Sequence, residues 1–247
     1  MNTLKDGLDE LREHLDLATI MKLLESTARW VDRKTFTYLP VWYPEEARRD
    51  LMYKKNWSEP QYNTNRTTGE RIHKRAGNGK ANIALTKALG LKTTERPNWS
   101  CCHIWSVDDS SFQKSNSVVQ DKRYYSCVGN MLLLPTPLKA FTDAMQEVKD
   151  MLRIAAANYY SWCPKEVSIT NMKAFEESRD LIHYPKSWPL SDRSTAPNGV
   201  IAFNEVIRKS ADHRKNEIQK LFNNSGEYFP KNEVHKVLEY WNVSIVT

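Results

Sequence analysis

Glycine is scarce in this chain, 8 of 247 residues, which excludes a collagen-like or low-complexity protein. Long apolar runs are missing too. None approaches the roughly 20 residues that a membrane helix needs, so no membrane partner is expected. Cysteine is limited to Cys101, Cys102, Cys127 and Cys163, with no C-x-x-C pair. That spacing argues against a disulfide framework and leaves free thiols in a cytoplasmic protein as the expectation. The opening stretch, MNTLKDGLDELREHL, is charged from its start and does not read as a secretory signal. A Gly-rich phosphate loop, a dinucleotide fingerprint, a G-x-S-x-G elbow and an H-E-x-x-H helix are all absent, so those chemistries have no support.

What is present is enough to fold. Hydrophobic residues make up 40% and there are 8 Trp, 11 Tyr and 7 Phe, a mass of side chains that buries itself. The formal net charge is +6, and its placement is uneven. From Arg48 to Asn98 there are 12 Lys/Arg against 4 Asp/Glu, a net of +8, so the remainder of the chain sums to −2. A basic segment on a balanced chain points to a polyanion such as nucleic acid, or else to a solvated lysine-rich loop.

Residues 4–33 carry leucines at helical spacing, with a break near Asp16. The run ThrPheThrTyrLeuProValTrpTyr, 35–43, favours a strand or extended arm. Residues 54–79 lack periodicity and read as a long loop. Asn82 to Leu89 is a short helix closed by Gly90. Cys101 to Val107 and Tyr124 to Leu134 are strand-like. Thr136 and Pro137 then open a helix that Leu138, Phe141, Met145, Val148 and Leu152 carry to about Ala156. Residues 163–200 read mostly as linker or loop, and two helices follow, over 201–223 and after Pro230. The expectation is a mixed α+β single domain over 1–247, with a core near 100–156 and a helical C-terminal extension over 199–247.

The order of strand, His103, connection, Asn130 and helix, with ValGlyAsnMetLeuLeuLeuPro around the Asn, resembles the HNH, or ββα-metal, nuclease family. The resemblance covers about 50 residues. It implies a ββα-metal core embedded among helices and a divalent-metal-dependent DNA endonuclease, restriction-like and sequence-specific. By that resemblance His103 is the general base and Asn130 holds the connecting loop or the metal. Lys139 stands where the family has a helical His, and Asp143 lies one turn further along. Cys102 occupies the position before the base. Lys cannot ligate a cation while protonated, and Cys suits soft metals. The site implied is therefore oxygen-rich, taking Mg²⁺ or Mn²⁺ through Asn130 and Asp143, or through Asp108 or Asp109, with Lys139 bearing on the phosphate. Lys139 and Asp143 also have a plain reading as a surface ion pair. The cysteine spacing speaks against structural zinc, since adjacent Cys101 and Cys102 point to opposite faces of a strand.

The basic segment supplies Asn63, Arg66, Arg71, Lys74, Arg75 and Lys80, residue types that neutralise phosphates and read base edges. The partners expected are double-stranded DNA and a second copy of the chain, since palindromic sites match two-fold proteins. The alternative is a DNA-binding protein on a degenerate HNH scaffold that does not cut.

Overall fold

The computed structural model describes residues 4–106, 118–165, 172–193 and 195–245. Two aspartates divide the leucine-rich N-terminal stretch. Asp6 caps α1 (Gly7–Arg12) and Asp16 caps α2 (Leu17–Thr27), each side chain accepting from backbone amides that the first turn leaves unpaired. β1 (Trp30–Val31) and α3 (Arg33–Tyr38) follow. The strand expected over 35–43 is replaced at its start by α3. Asp32 accepts from the Lys34 amide at 2.7 Å, and Thr35 and Phe36 are buried. Capping and burial outweigh the β preference of the local sequence.

The long loop expected over 54–79 is instead largely a hairpin, β2 (Tyr62–Thr64) against β3 (Arg71–His73), followed by α4 (Gly79–Ala88). Gly90, at φ +67°, ends α4 in the left-handed region that glycine enters without strain. β4 (Trp99–His103) pairs antiparallel with β5 (Met131–Pro135), from Trp99 opposite Pro135 to His103 opposite Met131. The second strand is shorter than expected. Residues 118–130 are taken up by turns, because Asn130 satisfies backbone groups there with its side chain. The helix expected from Thr136 to Ala156 is split. A single 3₁₀ turn, Thr136–Leu138, leads into α5 (Lys139–Ala144), and Met145 in extended conformation separates it from α6 (Gln146–Tyr160). α7 (Met172–Glu177), β6 (Val200–Ile201), α8 (Glu205–Asn224) and α9 (Lys231–Tyr240) complete the chain.

The result is a mixed α+β protein, as composition and patterning predict. β6 runs parallel to β1, and Arg29, just before β1, exchanges both backbone hydrogen bonds with Leu133 of β5, at 2.9 and 3.0 Å. The strand pairs thus form a near-continuous layer, β6, β1, β5, β4. β5 is buried on both faces, with Met131 through Leu134 inaccessible. Gly199 feeds β6 at φ +79°, where a Cβ would lie 2.0 Å from the Ala28 carbonyl oxygen, so no other residue fits.

The expected C-terminal extension is built into this body. Arg214 of α8 is buried, donates to the Trp42 carbonyl and pairs with buried Glu45. A smaller apolar cluster of Ile218, Phe229, Val234 and Leu238 joins α8 to α9, with Trp57 packed on it. Among the described residues no helix is long and apolar enough to cross a membrane.

Candidate functional site around His103

Strand alternation sets the site. Along β4, Cys102 turns into the core, 2% exposed, while Cys101 and His103 sit on the less enclosed side. The His103 Nε2 lies 2.9 Å from the Tyr125 carbonyl oxygen. A carbonyl only accepts, so Nε2 carries the proton and Nδ1 keeps its lone pair. Among the described residues Nδ1 meets no partner. The Tyr125 ring stacks on the imidazole at 6.0 Å.

Burial pushes the His103 pKa down to about 4, and the positive charges of Arg48 and Lys139 act in the same direction, against the Tyr125 carbonyl. At neutral pH the imidazole is uncharged with one nitrogen unprotonated, which is the state a general base needs.

Asn130 is wholly buried just before β5. Its Oδ1 accepts from the Trp105 amide at 2.8 Å, and its Nδ2 donates to the Trp105 and Tyr124 carbonyls at 3.2 and 3.3 Å. Its backbone carbonyl accepts from Ile104 at 2.9 Å. The side chain is spent on backbone groups of Trp105 and Tyr124. It fastens the connection after β4 and offers no exposed oxygen to an ion.

Lys139 and Asp143 form an ion pair one turn apart on α5, with side chains 36% and 50% exposed. The Lys139 charge reaches both His103 and Cys102. The Cys102 thiol accepts from Thr142 of α5 at 3.7 Å, and burial raises its pKa to about 11. The thiol is therefore protonated and a poor ligand.

This donor set does not fit the Mg²⁺ or Mn²⁺ that the family resemblance implies. Asn130 is sealed and hydrogen-bonded, the thiol is neutral and soft, and Asp143 is the single carboxylate of α5, already facing an ammonium. Asp108 and Asp109 lie outside the described residues. Among the described residues the metal-ligating trio that converges is Glu10, Glu13 and His14, fully exposed near α1. The four cysteines are free thiols, with Cys101 Sγ 3.5 Å from Met131 Sδ.

No motif or spacing marks Arg48. It is half-buried, its amide donates to Val119 at 2.9 Å, and among the described residues its guanidinium meets no carboxylate. The one sequence signal was the adjacent pair Arg48 and Arg49 at the head of the basic segment.

Of the basic-segment residues, the structure gathers Asn63, Arg66, Arg71, Lys74 and Arg75 on one hairpin and its base. Arg75 is partly committed there, donating to the Arg49 carbonyl at 2.9 Å. Lys80 stands apart at the start of α4, paired with Glu46 at 3.4 Å and lying over the Tyr43 ring. The hairpin is rooted beside the imidazole. Tyr125 donates its hydroxyl to the Gly77 carbonyl at 2.6 Å while its own carbonyl accepts from His103. Two hydrogen bonds on one residue link His103 to the base of the arm. Comparison with known family models, with curated proteins and with solved structures finds no match for this chain.

Proposed function

We propose that the chain is a DNA endonuclease with an HNH-like site, hydrolysing phosphodiester bonds sequence-specifically as a homodimer. The observation that carries this is the state of His103. Its Nε2 is committed to the Tyr125 carbonyl, its Nδ1 meets no partner among the described residues, two cations bear on it, and the residue that holds it also hydrogen-bonds Gly77 at the base of a basic hairpin.

In the step proposed, Nδ1 takes a proton from water as the water oxygen bonds to phosphorus. The bond from phosphorus to the leaving oxygen breaks, and that oxygen takes a proton from solvent. His103 then returns its proton to solvent. Arg48 and Lys139 supply positive charge to the phosphate, whose negative charge is concentrated on its non-bridging oxygens as the reaction proceeds. Mg²⁺ or Mn²⁺ is the ion expected by resemblance. No step above depends on the ion.

The second reading is a DNA-binding protein that does not cut. The Lys139–Asp143 pair favours it, because it fills the position of a ligand with a closed ion pair. The test is incubation with supercoiled plasmid, with and without Mg²⁺, comparing the natural chain with His103→Ala. Cleavage lost in the variant supports the nuclease. Binding without cleavage under every condition favours the scaffold, and equal cleavage by both proteins removes His103 from the chemistry.

A further inference from the structure

The hairpin β2–β3 is exposed on both faces, every residue of both strands included. An isolated two-stranded ribbon gains little stability in water. This one is held by its ends. At the tip, Asn65 and Glu70 close the turn at 2.8 Å, with the Asn65 side chain accepting from the Thr67 amide at 2.9 Å. At the base, Met52 donates to Lys74, Lys74 to Gln61 and Gln61 to Met52, so residues near 52 brace both strands. Among the described residues neither strand packs against an apolar cluster, and the ribbon carries Tyr62 and Ile72 at 38% and 44% exposure.

Its charge is one-sided. From Tyr62 to Arg75 lie Arg66, Arg71, Lys74 and Arg75 against Glu70 alone. Register places Tyr62, Thr64, Arg71 and His73 on one face, with Tyr62 opposite His73 and Thr64 opposite Arg71. On that face the Arg71 guanidinium lies 3.6 Å from the centre of the Tyr62 ring, whose plane is also packed against His73 at 4.6 Å. Among the described residues Arg71 meets no carboxylate. A long, exposed side chain is thus held in place by stacking, with its donors unspent on any acid. The stack pre-orders part of that arginine before a ligand arrives.

We propose that β2–β3 enters the major groove of duplex DNA, and that Arg71 reads a guanine there through two parallel N–H donors to O6 and N7. This rests on the reading of the chain as a DNA-acting protein. A two-stranded ribbon, with strands about 4.8 Å apart, fits a groove about 12 Å wide. The deep, narrow major groove of A-form RNA does not admit it. Arg66 at the turn and Lys74 at the base supply positive charge for the phosphates, and exposed Ile72 lies on the ribbon's other face. Buried Tyr125 ties Gly77, at the base of the ribbon, to the imidazole through two hydrogen bonds.

The test uses the full chain, a pool of randomised duplexes for selection, and fluorescence anisotropy on matched duplex DNA, single-stranded DNA and duplex RNA. The natural chain should select a guanine at one position, or at a symmetric pair, and bind the selected duplex at least about tenfold tighter than the other two. Arg71→Ala should erase discrimination at that position alone, a loss of about 5- to 150-fold. Arg71→Lys should not restore it, since an ammonium lacks the planar fork. Tyr62→Leu should weaken the same discrimination by removing the stack that holds the guanidinium. Because the ribbon contributes nothing to the core, circular dichroism should report all three variants folded.

Unchanged base preference in Arg71→Ala, or equal or tighter binding of single strands or duplex RNA, overturns the inference. If plasmid is still cut in that case, the nuclease reading stands alone. Arg71-dependent selection without cleavage has the opposite outcome, and absence of binding to all three probes overturns both.

Discussion

The displaced titration of His103 has a measurable consequence. An imidazole at about 4 is about 90% neutral at pH 5, whereas one at the ordinary 6.5 is only about 3% neutral there. Plasmid cleavage by the natural chain should therefore fall by only about a tenth between pH 7 and pH 5, and reach half its plateau near pH 4, where an unperturbed base would already have lost most of its rate. The same shift couples to stability. The unfolded chain takes up a proton at 6.5 and the folded imidazole resists until about 4, so folding is favoured fully above 6.5 and loses about 3 kcal/mol as pH falls through that window. Proton NMR of the His103 Cε1–H, assigned against His103→Gln, measures the midpoint without reference to activity. The causes are separable as well. Lys139→Ala removes one of the two cations and should move the midpoint upward, and a bound phosphodiester between Arg48 and Lys139 should do the same by cancelling their charge. A midpoint between 6 and 7 in the free, natural protein would refute the reasoning, and with it the claim that neighbours keep this imidazole neutral.

His103→Ala should reduce cleavage by about 10²- to 10⁴-fold while changing duplex affinity by less than a few fold, as read by single-turnover rates and anisotropy. Asn130→Ala leaves the buried Trp105 amide and carbonyl without the side chain that pairs them, while the Tyr124 carbonyl keeps the Cys127 amide, and should cost about 2–4 kcal/mol in urea unfolding with little change in slope. Arg214→Ala strands Glu45 in the core beneath α8, and should cost about 3–5 kcal/mol, against a smaller loss for a volume-matched apolar replacement of both partners. Duplex affinity should fall linearly with log salt. Replacing Arg66, Arg71 and Lys74 by Ala should flatten that slope by at most about three, and Lys80→Ala should leave it nearly unchanged, because Lys80 is engaged with Glu46.

Much of the fold was readable because local signals were backed by burial. Asp16, Pro137 and Gly90 punctuate helices in the manner their chemistry dictates, and Ile20 and Leu24 of α2 and the apolar face of α6 follow helical spacing into the core. Other elements depart from the sequence pattern for identifiable reasons. The β-rich letters around Phe36 belong to a helix because Asp32 caps it and the core receives Phe36. The hairpin carries no alternation of polar and apolar residues, since neither face is buried, so period-2 patterning had nothing to register. The break at Met145 is invisible in a 3,4,3,4 spacing, because Met145 stays buried while its backbone leaves the helix. At the site, His103, Asn130 and the Lys139–Asp143 pair could be named from order along the chain. Arg48 could not, since it reaches the imidazole from a segment more than fifty residues earlier, and only the folded chain brings it there.

The exchange of hydrogen bonds between Arg29 and Leu133 sets a limit on modularity. A hairpin followed by a helix looks like a unit that could be lifted out and grafted onto another protein. Here β5 has β4 on one edge and Arg29 on the other, and β1 in turn is completed by Val200 and Ile201, whose approach depends on the missing side chain of Gly199. A fragment holding only residues 99–160 would expose an open edge along β5 and leave its doubly buried leucines wet on one face. Such a piece should aggregate rather than fold. Transplanting this site therefore means carrying the first thirty residues and the segment around 200 along with it, so insertions are better placed at the tip of the hairpin than anywhere between β4 and β6.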